Sequence, residues 1–269
     1  MDLNKFNLKK KNIVITGAAG KLGFQHIEAL LDVGANIVAT DINLKNFQKF
    51  KKNKTKKYKN LEFYKMDVTS EFSINNVLNL LKKKKKKIDV LINNACLNPD
   101  YTIDFKKKTD LENFSLDIWN KEISVGLTGA FLCSKLIGSY MKKNKNGGVI
   151  LNISSDLSVI SPDQRLYFRK GVKNFKPITY SVIKTGLIGL TRYLATYWAN
   201  QKIRCNALSP GGIENKQDKN FKNKIKKLIP MGRMAKPDEY RSVLQFLCSD
   251  ASNYLNGQNI VMDGGRSIW

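Results

Sequence analysis

The chain of 269 residues carries a formal charge of +25, from 47 Lys and Arg residues against 22 Asp and Glu residues. Its length and its 42% hydrophobic residues suit one large α/β domain and exclude a wholly disordered chain. No apolar run reaches the roughly 18 residues that span a bilayer, and the start, MDLNKFNLKKK, lacks a signal-peptide core. Four widely separated cysteines predict neither disulfides nor a metal site, and suit a cytoplasmic protein.

Such a positive charge is also typical of nucleic-acid binding, because Lys neutralises phosphates. However, 40 of the 47 cations are Lys, whereas Arg is the better bidentate ligand of phosphates and bases. The lysines cluster at 51–59, 82–87, 106–108 and 216–227, in segments that have the character of loops and helix ends. We therefore expect most of the charge to be solvated surface, and we expect no nucleic-acid partner.

Short β-branched runs alternate with longer helical stretches, which is the pattern of a parallel sheet covered by helices on both faces. The predicted strands are Asn12–Thr16, Asn36–Thr40, Leu61–Lys65, Ile88–Ile92, Gly148–Ile153, Ile203–Leu208 and Asn259–Met262. The clearest predicted helices are Leu22–Val33, Ile118–Met141 and Tyr180–Trp198. Because neither a repeat nor a linker interrupts this alternation, we expect a single doubly wound α/β domain over residues 1–269.

The first strand runs into a glycine-rich turn, Thr16–Gly23, that opens a helix. Glycines let the backbone approach a pyrophosphate, and the N–H groups at the helix start bind it. A glycine triplet alone is equally typical of a simple turn, but its place after the first strand favours a dinucleotide. Asp41 ends the second strand, where a carboxylate binds ribose hydroxyls and repels a 2′-phosphate, which favours NAD over NADP. The alternative is an ordinary capping Asp.

Tyr180 and Lys184 are four residues apart, so they share one face of a predicted helix. A nearby ammonium favours the phenolate, which lets a Tyr exchange a proton at moderate pH. Ser154 and Ser155 stand upstream at a predicted strand end. A Tyr and a Lys at this spacing also occur as a plain surface pair, but their place after the glycine turn and the two serines predicts a catalytic group.

With these motifs in this order, the chain resembles the short-chain dehydrogenase/reductase family over nearly its whole length. The matching segments are Thr16–Gly23, Asp67–Val68, Asn93–Ala95, Asn152–Ser155, Tyr180–Lys184, Ile203–Gly211 and Asp263–Gly265. The resemblance implies a single-domain Rossmann-type fold of about seven strands. It also implies an oxidoreductase acting on CH–OH groups, with NAD as cofactor and NADP as the alternative, and a homo-oligomer, either a tetramer or a dimer.

The resemblance also implies the role of each site residue. Tyr180 would be the catalytic acid and base, Lys184 its electrostatic partner and a ribose contact, and Ser155 the group that holds the substrate oxygen. The implied cofactor-binding residues are Gly17, Gly20, Lys21, Leu22, Gly23, Asp41, Asp67, Val68, Asn94, Ala95, Tyr180, Lys184, Pro210, Gly211 and Ile213.

Three residues depart from the family pattern. Lys21 stands where the family has the middle loop glycine, so we expect a loop of different shape. Gly126 stands where the family usually has an Asn that anchors a proton-relaying water, so either another group holds the water or turnover is slower. Cys96 replaces a usual Gly after Asn93–Ala95 and is expected to narrow that turn.

Ser155 and Tyr180 are 25 residues apart, about twice the usual separation in the family. The additional segment, at about 158–177, must emerge beside the active site because both of its ends are catalytic. Its cations would then meet an anionic substrate, such as a sugar phosphate; an exposed basic loop without a ligand is the alternative. The cations that could meet the substrate are Arg165, Arg169, Lys170, Lys173 and Lys176, of which Arg165, Arg169 and Lys173 are the main candidates. Tyr167 is not a second catalytic Tyr, because Gly171 stands where a Lys would be needed.

This insertion and the closing Gly-Gly-Arg-Ser-Ile-Trp look like the oxidoreductases associated with flagellin modification. That resemblance implies a sugar or sugar-phosphate substrate in surface-glycan synthesis. A second hypothesis is a reductase of 3-oxoacyl thioesters on an acyl carrier protein. A third, from another class, is a non-catalytic protein that senses the cofactor or binds nucleic acid, which Gly126 and the net charge would suit.

Overall fold

Seven parallel strands form the central sheet. The computed structural model describes residues 3–48, 59–97, 109–169, 172–215 and 217–269. The strands of this sheet are β1 (Asn12–Ile15), β2 (Asn36–Asp41), β3 (Leu61–Lys65), β4 (Val90–Asn93), β5 (Gly148–Ile153), β8 (Ile203–Pro210) and β9 (Asn259–Met262). Two further short strands are β6 (Phe168–Arg169) and β7 (Val172–Lys173). The sheet has the order β3-β2-β1-β4-β5-β8-β9, and β6 and β7 form a separate antiparallel hairpin. The predicted doubly wound sheet is confirmed.

Helices connect these strands. They are α1 (Lys21–Asp32), α2 (Glu71–Lys83), α3 (Leu116–Met141), α4 (Ile178–Tyr197), α5 (Lys219–Lys226) and α6 (Arg241–Cys248). Short 3-10 turns lie at Leu3–Phe6, Leu111–Asn113, Asp156–Ser158, Gln164–Tyr167, Ala199–Gln201 and Asp250–Ser252. The predicted strands and the three predicted helices are confirmed to within two residues at either end.

Both faces of the sheet are covered, as continuous apolar strands require. Side chains alternate along β1, so Ile13 and Ile15 pack on one face and Val14 on the other. The first face is covered by α1 and α6, with Leu30 in its core. The second face is covered by α2, α3 and α4, with Ile137 in its core. The strand order reverses between β1 and β4, and ligands bind in the crevice at the carboxyl ends of such strands.

By length and composition alone, α3 could cross a membrane, with a mean hydropathy of 1.2 over 18 residues. The sequence predicts no spanning segment because it contains no uninterrupted apolar run of that length. Lys135 interrupts the apolar run of α3, whereas a mean over 18 residues tolerates one lysine. In the fold, α3 buries Cys133, Ile137 and Met141 against the sheet. Packing in the core therefore accounts for its apolar face.

Of the lysine-rich segments that the structure describes, the one at 82–87 lies at a helix end, as predicted, whereas the one at 217–227 lies mostly within α5. Lys82 and Lys83 form the last turn of α2, and the next lysines include Lys84 and Lys86, which both pair with Glu62. Such exposed pairs add little stability. The predicted clusters at 51–57 and 106–108, and Lys216, lie outside the described residues.

Candidate active site

The glycine-rich turn brings β1 close to the end of β4. Gly17 has a φ of +60°, and a Cβ atom there would stand 2.6 Å from the Cα of Ala95. Only glycine satisfies both conditions without strain. The N–H of Gly20 donates to the carbonyl of Gly17 at 3.2 Å, and α1 begins at Lys21. The loop therefore closes into a turn despite the lysine, and it presents the N-terminus of α1 at the carboxyl edge of the sheet.

The remaining predicted cofactor residues of the first half lie around this turn. Leu22 and Gly23 belong to the first turn of α1. Asn94 donates from Nδ2 to the carbonyls of Thr16, at 3.1 Å, and Gly17, at 3.0 Å. This side chain fixes the loop from the β4 side, so its role toward a cofactor is one of support.

Two acidic residues lie further along the same edge. Asp41 ends β2, and its Oδ2 accepts the N–H of Ala19 at 3.0 Å, which holds the carboxylate against the glycine turn. Asp67 follows β3, and its Oδ1 accepts from the N–H and the hydroxyl of Thr69. Val68, the next residue, is buried. A dinucleotide fits this edge, because a helix start for phosphates and a carboxylate for a ribose lie side by side.

Pro210 ends β8, which places the last predicted cofactor residues at the same edge as the glycine turn. The N–H of Gly211 donates to the carbonyl of Met262 at 2.9 Å, and Ile213 forms an isolated bridge with Ala235. The structure therefore brings all predicted cofactor residues to the carboxyl ends of the strands.

The predicted catalytic residues come together from the end of β5 and the start of α4. Ser155 lies two residues beyond β5, and its hydroxyl is close enough to the Tyr180 hydroxyl to lower the pKa of that tyrosine. Lys184 donates from Nζ to the carbonyl of Ile153 at 2.8 Å, and its ammonium lies 5.6 Å from the centre of the Tyr180 ring. The hydroxyl of Ser154 donates to the backbone carbonyl of Lys184 at 2.7 Å, which joins strand and helix. Ser155, Tyr180 and Lys184 are thus brought together as predicted.

Burial is the dominant influence on the Tyr180 hydroxyl. It raises the pKa of Tyr180 well above the usual value, the nearby Cys96 thiol raises it further, and the Ser155 hydroxyl lowers it. The expectation that Lys184 makes a phenolate accessible at moderate pH is therefore incomplete, because burial opposes it. This environment favours the protonated phenol, which is the form that can give a proton to a ketone oxygen.

Asp156 and Arg266 form a buried ion pair beside the catalytic serine. Nη1 of Arg266 donates to Oδ2 of Asp156 at 2.7 Å, and the Ser155 hydroxyl donates to Oδ1 of the same carboxylate at 2.8 Å. The two charged side chains are only 7% and 5% exposed. Asp263 holds the turn that carries Arg266, since its carboxylate accepts the N–H groups of Gly265 and Ser267. The closing segment of the chain thus reaches the active site.

Gly126 lies in α3 and faces α4. A Cβ atom at Gly126 would stand 2.8 Å from Cγ2 of Ile183, and Ile183 is a stiff, β-branched side chain. The space that an Asn side chain would need is therefore filled by Ile183. Position 126 therefore cannot anchor the proton-relaying water that the family's Asn holds, and any such water has to be held by another residue.

The insertion folds into a 3-10 turn and the β6–β7 hairpin. Arg165 binds the carboxylate of Asp163 through Nη2 at 2.7 Å, and its side chain is 80% exposed. Lys173 is also exposed. These two cations are therefore solvent-exposed, and a role in binding substrate stays a prediction for them. The side chain of Arg169 and the whole of Lys170 lie outside the described residues.

Two other insertion residues do reach the catalytic tyrosine. The ammonium of Lys176 lies 3.7 Å from the centre of the Tyr180 ring. Tyr167 is close enough to influence the Tyr180 hydroxyl, and burial raises its own pKa to about 12. The insertion therefore lies beside the predicted active site through Lys176, one of the cations that its charge pattern singled out, and through Tyr167, which was not a candidate.

Sequence reasoning gave no role to Asp156, Arg266 or Glu122. Asp156 was detectable as the residue after Ser155, and Arg266 as part of the closing motif, but nothing in the sequence pairs residues so far apart. Glu122 is buried on α3, and it accepts a hydrogen bond from the hydroxyl of Thr179, next to Tyr180.

Known proteins resemble this chain over nearly its full length. A family model described as Enoyl-(Acyl carrier protein) reductase matches residues 17–267. A 3-oxoacyl-[acyl-carrier-protein] reductase of Thermotoga maritima is 32% identical over 265 residues, covering 97% of this chain and 99% of its own. An NAD-dependent glycerol dehydrogenase of Listeria innocua is 32% identical over 268 residues, covering 98% and 96%.

Solved structures agree. A short chain dehydrogenase of Leptospira borgpetersenii with bound NAD+ has a TM-score of 0.85 at 30% identity, covering 100% of this chain and 97% of its own. A gluconate 5-dehydrogenase of Burkholderia cenocepacia, in complex with NADP and tartrate, has a TM-score of 0.85 at 25% identity, covering 99% of each chain.

The matched family model, the full-length relatives and the assembled Ser155, Tyr180 and Lys184 all lead to one assignment. They count against the hypothesis of a non-catalytic protein. The chain belongs to the short-chain dehydrogenase/reductase family, oxidoreductases that act on CH–OH groups with NAD or NADP.

Proposed function

We propose that the protein interconverts a secondary alcohol and a ketone on a sugar, a polyol or a derivative such as a sugar phosphate, with NAD preferred over NADP. The observation that carries this proposal is the convergence of Ser155, Tyr180 and Lys184 at the carboxyl edge of the sheet, where the ammonium of Lys184 lies 5.6 Å from the centre of the Tyr180 ring. The test is steady-state turnover of a panel of ketoses, polyols and sugar phosphates with NADH and NAD.

The catalytic residues would act on the proton and on the substrate oxygen. When bound, the nicotinamide accepts or supplies the hydride. In the reducing direction Tyr180 gives its proton to the carbonyl oxygen, and the ammonium of Lys184 stabilises the phenolate that remains. Ser155 holds the same oxygen by a hydrogen bond. In the oxidising direction the phenolate takes the alcohol proton back.

The cofactor would lie along the edge that the glycine turn forms. The N–H groups at the start of α1 would bind the pyrophosphate, with Gly17 and Gly20 leaving room for it. The carboxylate of Asp41 would accept from the ribose hydroxyls and would repel a 2′-phosphate. A preference for NAD follows from this charge.

A sugar-type substrate is supported by two observations. The relatives that resemble the chain include proteins named as dehydrogenases of glycerol and gluconate. In addition, Tyr167 and Lys176 of the insertion bring polar groups to Tyr180. A role in flagellin or surface-glycan synthesis is supported only by the resemblance of the insertion and of the closing motif.

A second candidate is the reduction of 3-oxoacyl thioesters on an acyl carrier protein. The matching family model and the relative of Thermotoga maritima favour it, since both carry acyl-carrier-protein reductase names. Comparing acetoacetyl thioesters with ketoses as substrates separates the two. A specificity constant at least tenfold higher for the thioester would reverse our preference.

We also propose a homo-oligomer, a dimer or tetramer, in the cytoplasm. The outer faces of α3 and α4 expose large apolar side chains that a second copy would cover. These side chains are Leu116, Phe131, Val182, Tyr193 and Tyr197. Four free thiols suit a reducing compartment. Light scattering of the purified protein tests the assembly, and a monomer at micromolar concentration would contradict it.

A further inference from the structure

The Ser155 hydroxyl has one proton, and in the fold it donates that proton to a carboxylate. Its Oγ lies 2.8 Å from Oδ1 of Asp156. The N–H of Leu157 donates to both side chains, to Oγ of Ser155 at 3.2 Å and to Oδ1 of Asp156 at 2.9 Å. A serine side chain has three staggered rotamers, and these contacts select one of them. The residue that follows the serine therefore fixes the direction of its hydroxyl.

The carboxylate is itself held from the other end of the chain. Oδ2 of Asp156 accepts from Nη1 of Arg266 at 2.7 Å, and the arginine and aspartate side chains are only 7% and 5% exposed. Next to Arg266, Gly265 has a φ of +89°, and a Cβ atom there would stand 2.9 Å from Cγ of Pro230. The N–H of Gly265 also donates to the Asp263 carboxylate at 3.0 Å. The backbone that carries Arg266 is thus closely fitted, and Asp156 has little freedom to rotate.

Stability alone does not account for this ion pair. A buried pair adds little net stability, because the cost of removing both charges from water about cancels their attraction. The pair does, however, leave the serine free to act. When the Ser155 hydroxyl turns to another acceptor, Asp156 keeps a hydrogen bond at each oxygen, from the N–H of Leu157 and from Arg266. Ser155 can therefore turn its hydrogen bond to a substrate oxygen without leaving a buried carboxylate oxygen unsatisfied.

We propose that Asp156 is a positioning residue, which holds the Ser155 hydroxyl in the rotamer that meets the substrate oxygen, and that Arg266 holds Asp156. Both residues act through Ser155 and do not touch the reacting atoms. The closing segment of the chain thus contributes to turnover and not only to folding. This inference rests on the catalytic role proposed for Ser155, and it applies equally to a ketose and to a 3-oxoacyl thioester.

The test separates the acceptor oxygen of Asp156 from its charge. Arg266→Met with Asp156→Asn removes both charges and keeps an oxygen for the Ser155 hydroxyl, whereas Arg266→Met with Asp156→Leu removes the oxygen as well. Neither double variant buries an unpaired charge, so both are expected to fold. Ser155→Ala is made alone and in combination with each double variant. As a control, Lys84→Met with Glu62→Leu removes an exposed ion pair of 2.8 Å near the start of β3.

The kcat and KM values are measured for the reduction of dihydroxyacetone, D-fructose, 2-keto-D-gluconate and acetoacetyl coenzyme A by NADH. We expect Ser155→Ala and the Asp156→Leu double variant to lower kcat to a similar extent, by at least about tenfold. The Asp156→Asn double variant and the control should keep most of kcat. Added to Ser155→Ala, the Asp156→Leu double variant should lower kcat by no more than about twofold further. A preserved NADH affinity, measured by fluorescence titration, shows that the variants fold.

Equal kcat values in the two double variants would overturn the inference, because the acceptor oxygen of Asp156 would then have no effect. Losses that multiply when Ser155→Ala is combined with the Asp156→Leu double variant would overturn it too, since Asp156 would then act independently of Ser155. A normal kcat in Ser155→Ala would instead refute the role proposed for Ser155, on which the inference rests.

Reduction of none of the four compounds by the unaltered protein would count against the proposed function. The urea midpoints of the same variants then decide the inference. Ser155→Ala should lower the midpoint more in the Asp156→Asn double variant, where the hydroxyl has an acceptor, than in the Asp156→Leu double variant. Equal shifts of the midpoint would overturn the inference.

Discussion

Arg266 and Asp156 are 110 residues apart in sequence and 2.7 Å apart in the fold, where they form a buried ion pair next to Ser155, the proposed catalytic serine. The chain contains a second Arg–Asp pair with the same separation of 2.7 Å, between Arg165 and Asp163, in which the arginine is 80% exposed. The two contacts have equal length but differ in burial and in sequence separation, since Arg165 and Asp163 are only two residues apart.

We expect Arg266→Met to lower the free energy of unfolding by about 3–5 kcal/mol, because Asp156 would stay buried without its partner. The matched change Arg165→Met should cost less than about 1 kcal/mol. Urea unfolding of the two variants measures both values. Because Asp156 accepts from the Ser155 hydroxyl, Arg266→Met should also lower kcat, while Arg165→Met should not. Equal losses of unfolding free energy in the two variants would contradict the larger contribution that we assign to the buried pair.

Asp41→Asn tests the cofactor preference. The change keeps an oxygen acceptor for the N–H of Ala19 but removes the negative charge at the end of β2. We expect NADPH to bind about tenfold tighter or more, because a like charge no longer faces the 2′-phosphate, while NADH binding changes less. Fluorescence titration with both nucleotides provides the measurement. Tighter binding of NADPH than of NADH by the unaltered protein would refute the role of Asp41.

The glycines of the long helices offer a matched pair. Gly126 faces Ile183 at 2.8 Å from its virtual Cβ atom, whereas a Cβ atom at Gly189 would meet nothing within 4 Å. Gly126→Ala should therefore lower the free energy of unfolding by about 1–3 kcal/mol through overpacking. Gly189→Ala should raise it by up to about 1 kcal/mol through helix propensity. Thermal unfolding distinguishes them, and a stabilised Gly126→Ala variant would show that this position has room for the usual Asn.

The affinity for an anionic substrate should depend on pH through Lys176. Burial, as the largest cause, lowers its pKa to about 8, so the charged ammonium is present below this pH and is lost above it. The Cys96 thiol, Lys184, Asp156 and Glu122 are the groups that act on it. We expect the affinity for an anionic substrate, such as a sugar phosphate, to be independent of pH below about pH 8. Above that pH the affinity should fall by up to about tenfold per pH unit. Lys176→Arg stays charged, so its profile should remain flat; a fall identical to that of the unaltered protein would assign the titration elsewhere.

The sheet and its helices could be predicted because local patterns determine them. Runs such as Asn12–Ile15 and Gly148–Ile153 are apolar at all but one or two positions, as is typical of strands covered on two faces. The glycine turn, Ser155, Tyr180 and Lys184 could likewise be found, because each belongs to a short motif whose residues are neighbours in sequence.

The parts of the site that depend on distant contacts could not be predicted. The insertion carries several cations, and their sequence positions do not tell which one turns inward. The structure places Lys176 at Tyr180, whereas Arg165 pairs with Asp163. The pairing of Arg266 with Asp156 and the filling of the Gly126 site by Ile183 are equally consequences of tertiary packing.

The central claim is that Tyr180 transfers the proton in an alcohol–ketone interconversion. The most direct measurement is steady-state turnover by Tyr180→Phe on whichever ketose, keto acid or thioester the unaltered protein reduces, together with NADH titration. The account predicts that kcat falls by at least about a hundredfold while the dissociation constant for NADH stays within a few-fold. Turnover at the normal rate in a variant that binds NADH normally would contradict it.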